Sequence, residues 1–181
     1  MKLHIGAGER YLPGYKHLDI IDRPHIDYVC DIRDLSRFAD ETVVEIYACH
    51  VLEHVNRHEI LDMLKEWHRV TMRGGVLRLA VPDFKAIVDE YISGGTLDSV
   101  LGLLYGGQDY EYNFHYQTYD LDRLSILLTK AGFGNIKEYD WRMFLPEDYD
   151  DFSKAYLPHK DFENGRHMSL NIVASKGENA R

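Results

Sequence analysis

Val76 to Val81 is a near-continuous apolar run that ends at Pro82-Asp83-Phe84, and it restricts the fold more than any other stretch of the chain. A strand that is apolar at almost every position, rather than at alternate ones, is buried on both faces, as the central strand of a parallel sheet is. Other short runs share its habit of stopping at glycine or a polar residue. Lys2 to Ile5 stops at Gly6-Ala7-Gly8, Tyr15 to Ile21 carries Asp19 near its end, Ile26 to Cys30 stops at Asp31, and Val43 to Cys49 stops at His50. After the last of these, Asn56-Arg57-His58-Glu59 has the spacing of a capping box. Ile60, Leu61, Leu64, Trp67 and Met72 then follow at helical intervals, and Arg73-Gly74-Gly75 is expected to stop that helix.

The second half continues the alternation. Residues 83–104 read as two helical stretches broken at Gly94-Gly95, and Gly106-Gly107 opens a loop rich in Tyr, Asp and Asn that contains His115. Thr118 is placed to cap a helix running through Lys130, with Leu121, Leu124, Leu127 and Leu128 on its buried side and Gly132-Phe133-Gly134 closing it. Ile136 to Trp141 reads as the next strand, residues 143–167 have no clear period, and Met168 to Ser175 alternates into a last strand before a polar tail. The expected fold is α/β: an open, mostly parallel sheet of six or seven strands with helices on both faces and the last strand antiparallel. Ligands of such sheets bind beyond the carboxyl ends of the strands, where strand order reverses.

A chain of 181 residues with 45% apolar content suits one domain, 1–181, with insertions at about 83–117 and 143–167. Its two cysteines, Cys30 and Cys49, read as strand residues in a reducing compartment. The segment Met1 to Gly6 meets glycine too soon for a secretory leader, and no run approaches the roughly 18 apolar residues of a membrane span, so a cytoplasmic location is expected. With 21 Lys plus Arg against 30 Asp plus Glu, the formal charge of -9 disfavours a nucleic-acid partner.

Three strand ends carry candidate ligand groups. Gly6-Ala7-Gly8 lets the backbone approach a ligand closely, Asp19 can accept from ribose hydroxyls, and Asp31 can accept a hydrogen bond from an adenine amino group while Ile32 packs on the ring. Taken singly, an empty turn and two solvated strand ends would look the same. Their order, each at a strand end, is what singles them out. Leu3 to Gly8, Pro13 to Ile20, Cys30-Asp31-Ile32, His50 to Val55, Gly74 to Arg78 and Ala80 to Asp83 together resemble S-adenosylmethionine-dependent methyltransferases of the Rossmann-like class, as do the later Ala131-Gly132-Phe133 and Ser169-Leu170-Asn171.

That resemblance implies that Gly6, Ala7 and Gly8 border the methionine end of S-adenosylmethionine, that Asp19 and Ile20 hold the ribose, and that Asp31 and Ile32 hold the adenine. It also implies that His50, Val51 and Leu52 line the site near the sulfonium, with S-adenosylhomocysteine as product. One departure is plain: the ten residues between Ile5 and Lys16 leave no room for the usual crossover helix.

Methyl transfer is an in-line displacement in which the protein supplies alignment and, for a hydroxyl acceptor, a base. His54 and His115 are the candidate bases, with Asp83 and Tyr116 as groups that orient them or the acceptor, although any of the ten histidines reads first as a packing or surface residue. The expected acceptor is a small molecule or a carbohydrate, methylated at oxygen, and the protein a monomer or homodimer. Two alternatives stand beside this. One is a non-catalytic partner module of the same fold; the other is a zinc hydrolase, because His50-Val51-Leu52-Glu53-His54 fits H-x-x-E-H. The zinc reading is weakened because His50 ends a strand and no later segment offers a convincing third ligand, so no metal is expected. A nucleotide-dependent oxidoreductase is disfavoured by Tyr11, which stands where the third glycine of G-x-G-x-x-G belongs.

Overall fold

Five strands run parallel in the first half of the chain: β1 (Lys2–Ile5), β2 (Lys16–Asp19), β3 (Tyr28–Val29), β4 (Val43–Cys49) and β5 (Thr71–Pro82). Helices α1 (Ile60–Val70), α2 (Phe84–Ile92), α3 (Leu97–Tyr105) and α4 (Leu121–Ala131) follow β4 and β5. Strand β6 (Phe133–Glu138), a small hairpin of β7 (Tyr156–Leu157) with β8 (Arg166–His167), and β9 (Ser169–Lys176) complete the elements. This computed structural model describes residues 1–177, so part of the polar tail lies outside the described residues.

The seven-stranded sheet has the order β3-β2-β1-β4-β5-β9-β6, with β9 antiparallel to both of its neighbours. The chain steps outward from β1 through β2 to β3 and then returns to the other side of β1 as β4. That reversal makes the β1/β4 boundary the place where a crevice opens beyond the strand ends.

Alternation along the strands puts Leu3, Ile5, Leu18, Ile46, Ala48, Leu77 and Leu79 into one buried cluster. Over it lies α1, whose Ile60, Met63, Leu64 and Trp67 recur at helical spacing, beside Leu124 and Leu128 of α4. Trp67 is fully buried and its indole donates to the Ile32 carbonyl at 2.8 Å, tying the helix to the loop after β3.

The other face is finished differently. Tyr47 packs with Leu12, Leu145 and Tyr149, and the cover over it consists of irregular chain with short 3-10 turns at Trp141–Met143 and Phe152–Lys154. Two polar pairings cross this face: Glu45 takes both Lys2 and Arg78 at 2.8 Å, and the Tyr47 hydroxyl donates to Asp151 at 2.5 Å. No helix among the described residues is long and apolar enough to cross a membrane.

Several boundaries differ from the sequence reading for local reasons. Helix α1 ends at Val70, where the Thr71 hydroxyl bonds the Trp67 carbonyl at 2.7 Å, and Arg73-Gly74-Gly75 forms a bulge inside β5 instead of a helix stop. Gly75 is required there because a Cβ would meet the Met72 carbonyl oxygen at 2.7 Å. The capping box does not close: Asn56 Oδ1 accepts from the His58 amide, while Glu59 is taken by Arg33 at 2.9 Å. Asp120, not Thr118, caps α4, accepting from the Arg123 amide at 2.8 Å. Tyr119, between them, is held extended by a bridge to Asp83. Strand β6 begins at Phe133, earlier than Ile136, and Trp141 belongs to a 3-10 turn.

Candidate active site

The chain leaves β1 through Gly6 and Gly8 at φ of 65° and 58°, a region that only glycine occupies freely. This turn stays short because it is bonded directly to β2. The Gly6 and Ala7 amides both donate to the Leu18 carbonyl, at 2.8 and 3.2 Å, and the Leu12 amide donates to His17 Nε2 at 2.9 Å. Ten residues therefore join two parallel strands without a helix, as the spacing requires.

Asp19 closes the turn. One carboxylate oxygen accepts from the Gly8 amide at 2.8 Å; the other accepts from the Ile21 amide at 2.8 Å and, at 3.3 Å, from Arg23. A carboxylate has about four acceptor positions, so one remains open, and the long Arg23 contact is the easiest to exchange for a second hydroxyl.

Beyond these strand ends lies a cleft of about 480 Å³. Gly6, Gly8, Asp19 and Ile20 line one end, and Asp31 and Ile32 line another. From the loop after β4 come His50, Val51 and His54, and across the mouth stand Tyr110, Tyr112 and Tyr116. Val51 fits against Gly6 so closely that a Cβ on the glycine would collide with its methyl groups.

Four expected residues are not in the cleft wall. Leu52 is fully buried in the core, because His50 at φ 52° turns the chain and a 3-10 turn over Leu52–His54 carries Leu52 and Glu53 inward. Ala7 is buried beneath the glycine turn. Asp83 caps α2, accepting from the Lys85 amide at 2.9 Å, and so belongs to the scaffold. His115 sits behind His54.

Sequence reasoning missed Arg33. Its guanidinium holds Asp31 through contacts of 2.6 to 3.0 Å and reaches Glu59 as well. The pairing holds the Asp31 carboxyl below its ordinary pKa and occupies the acceptors expected for an adenine amino group. The Asp31-x-Arg33 spacing was the available signal.

Behind the cleft lies a cluster of ionisable groups around Glu53. Segment 114–119 is fastened to the 52–55 turn: the Tyr116 amide donates to the Glu53 carbonyl at 2.8 Å, Gln117 to the Val55 carbonyl at 2.8 Å, and the Tyr119 hydroxyl to the Leu52 carbonyl at 3.1 Å. This brings the His54 and His115 rings to 4.8 Å between centroids. Burial pushes Glu53 up to about 8 and, with help from His54, pulls His115 down to about 4. His50 is pulled to about 3, by burial first and then by the neighbouring histidines. His50 ends its strand as expected and shares no helical face with His54. From a later segment, His115 brings its Nε2 to 4.0 Å from Glu53 Oε1.

Residues 16–79 match the methyltransferase domain family. No curated protein matches the chain by sequence. Among solved structures, an S-adenosylmethionine-dependent methyltransferase from Archaeoglobus fulgidus superposes with a TM-score of 0.58 at 14% identity, covering 97% of this chain and 85% of that one. One from Methanosarcina mazei gives 0.55 at 17%, covering 98% and 92%. The 1,6-didemethyltoxoflavin-N1-methyltransferase of Burkholderia thailandensis, whose structure contains its substrate and S-adenosylhomocysteine, gives 0.55 at 13%, covering 98% and 71%. At such identities the likeness is one of fold, and it extends over nearly the whole chain. The protein thus has the Rossmann-like fold of the S-adenosylmethionine-dependent methyltransferases, with the methyltransferase domain signature running through residues 16–79.

Proposed function

We propose that the protein binds S-adenosylmethionine in the cleft beyond β1, β2 and β4 and directs its methyl group to an oxygen of a small polar molecule, a carbohydrate or one of similar size. The observation that carries this reading is the Gly6–Gly8 turn clamped by Asp19 at the head of a cleft at the sheet's switch point. The bare backbone of the turn admits the amino-acid end of the cofactor, and Asp19 offers its open acceptor position to the ribose. At the adenine end, the flat Arg33 guanidinium and Ile32 sandwich the base, a role that suits a guanidinium already fixed by Asp31.

When bound, the cofactor supplies an electrophilic methyl group and its own leaving group. The protein's part is alignment and proton uptake. Tyr110, Tyr112 and Tyr116 at the mouth give the acceptor faces to stack on and screen the sulfonium charge. A hydroxyl proton leaves toward the cluster of His54, His115 and Glu53, where His54 is the member that lines the cleft. Asp83, the cap of α2, orients the segment on which the acceptor rests. The free thiols of Cys30 and Cys49 support a cytoplasmic setting, and the charge of -9 supports an acceptor that is neutral or cationic rather than a nucleic acid.

Calorimetric titration with S-adenosylmethionine and S-adenosylhomocysteine tests this. Micromolar binding is expected, weakened at least about tenfold by Asp19→Ala, which strips two amides of their acceptor. Failure of the folded wild-type protein to bind either compound overturns the enzyme reading and favours a partner module of the same fold.

A further inference from the structure

We propose that Glu53, His54 and His115 form a binding site for one divalent transition-metal cation of the zinc type. The three residues each offer a ligand atom, and these atoms lie within 4.8 Å of one another. Ligands around tetrahedral zinc stand about 3.4 Å apart, given metal–ligand distances of about 2.0–2.2 Å. Closing the difference takes a shift of less than about 1 Å in each ligand atom.

Backbone carbonyls meet one ring nitrogen of each histidine. His54 Nδ1 lies 3.1 Å from the Phe114 carbonyl oxygen and His115 Nδ1 lies 3.0 Å from that of Leu103. A carbonyl only accepts, so in this contact His115 Nδ1 carries the proton and its Nε2, the atom 4.0 Å from Glu53, keeps its lone pair. Backbone carbonyls commonly hold metal-binding histidines in this way.

Glu53 supplies the independent observation. It is fully buried, and neither carboxylate oxygen accepts a hydrogen bond. His50 Nδ1 lies 3.3 Å and His115 Nε2 4.0 Å from its Oε1. A carboxyl group so placed is costly unless something meets it, and a cation between it and two imidazole lone pairs satisfies all three at once. His50 then acts as a positioning residue, fixed between Glu53 and the Ser169 hydroxyl at 3.3 Å.

The arrangement differs from the H-x-x-E-H motif read along the sequence. His50 is not a ligand; the second histidine comes from the segment after α3, and the three bonds from residues 116, 117 and 119 to the 52–55 turn hold the two parts in place. Two imidazoles and one carboxylate form the three-ligand set that leaves a further position for water or substrate oxygen. Of the three, His54 borders the cofactor cleft. The cation takes the lone pair that the methyl-transfer reading gives to the acceptor's proton, so His54 serves one role or the other, and cofactor titration of the metal-free protein reports on cofactor binding separately.

The test is titration of chelator-treated, tag-free protein with Co²⁺, followed by displacement with Zn²⁺. One equivalent of Co²⁺ is expected to give visible absorption bands that Zn²⁺ removes. Glu53→Gln, which keeps the shape, and His115→Gln are each expected to weaken Zn²⁺ binding at least about tenfold. His58→Ala, at an exposed histidine nearby, leaves it unchanged. Circular dichroism identifies which variants fold, and either one suffices. No stoichiometric binding by the wild-type protein, or undiminished binding in a folded Glu53→Gln or His115→Gln variant, overturns the proposal.

Discussion

Gly6 bears two demands at once, a left-handed backbone and a close approach from Val51. Gly6→Ala meets both obstacles and is expected to cost about 2–4 kcal/mol in urea unfolding, with cofactor affinity lost in parallel. Gly8 has the same backbone demand but open space where a Cβ would go, so the close contact is particular to Gly6. Gly6 and His50 are legible in the sequence because each stops an apolar run, and Gly8 and Asp19 because each lies within a few residues of such a stop; a strand's end is a local property. Leu52 was misread because one positive-φ residue, His50, redirects everything after it, and a φ value leaves little trace in composition. Arg33 is legible only in part, since its pairing with Asp31 two residues away is local whereas its contact with Glu59 joins segments 26 residues apart. His115 was singled out as a base, but its place beside Glu53 depends on a contact between segments far apart in sequence.

At the scale of elements, helix starts were harder to read than strands. Thr118 and Asp120 are both good capping residues, and the choice between them is made by Tyr119. Its ring is buried and its hydroxyl is bonded to Leu52, which keeps the chain extended until Asp120. Asp120→Ala should lower stability by about 1 kcal/mol in thermal or urea denaturation. Thr118→Ala, which removes no cap, should stay within about 0.5 kcal/mol of the parent. Equal losses would contradict the capping assignment. The double glycine at 74–75 shows the same ambiguity: Gly-Gly after a helical pattern reads as a stop, yet here it absorbs extra residues of β5 opposite Val43–Glu45. By contrast β1, β4 and the break between α2 and α3 fell where the runs of apolar residues and glycines put them.

Across the whole molecule, the two faces of the sheet differ in what buries them. The face under α1 and α4 was legible through its helical periodicity. The opposite face was not, because Leu145 and Tyr149 reach Tyr47 from irregular chain in which no period exists. That face also contains His4, nine-tenths or more buried, with His17, His25, Arg10, Tyr47 and Tyr149 around it. Burial, then the neighbouring His17, pulls its pKa from 6.5 to about 3. Between those values the unfolded chain binds a proton that the folded protein refuses, so stability falls as the pH drops below about 6.5. From pH 7 to pH 5 this residue alone should remove about 2 kcal/mol. Urea unfolding at the two pH values measures the loss, and His4→Leu should make the difference smaller; an unchanged difference would show that other groups account for it.

The position of β9 bears on how the sheet is completed as the chain emerges from the ribosome. It lies between β5 and β6 yet comes last in sequence among the strands of the described residues. Until residues 169–176 are synthesised, a nascent chain holds two facing strand edges with unsatisfied amides and carbonyls, the kind of surface that pairs with other chains. The sheet closes only after translation has passed that point. Over that interval the protein depends on the speed of its own insertion step, or on a chaperone, to keep those edges from a stranger's strand.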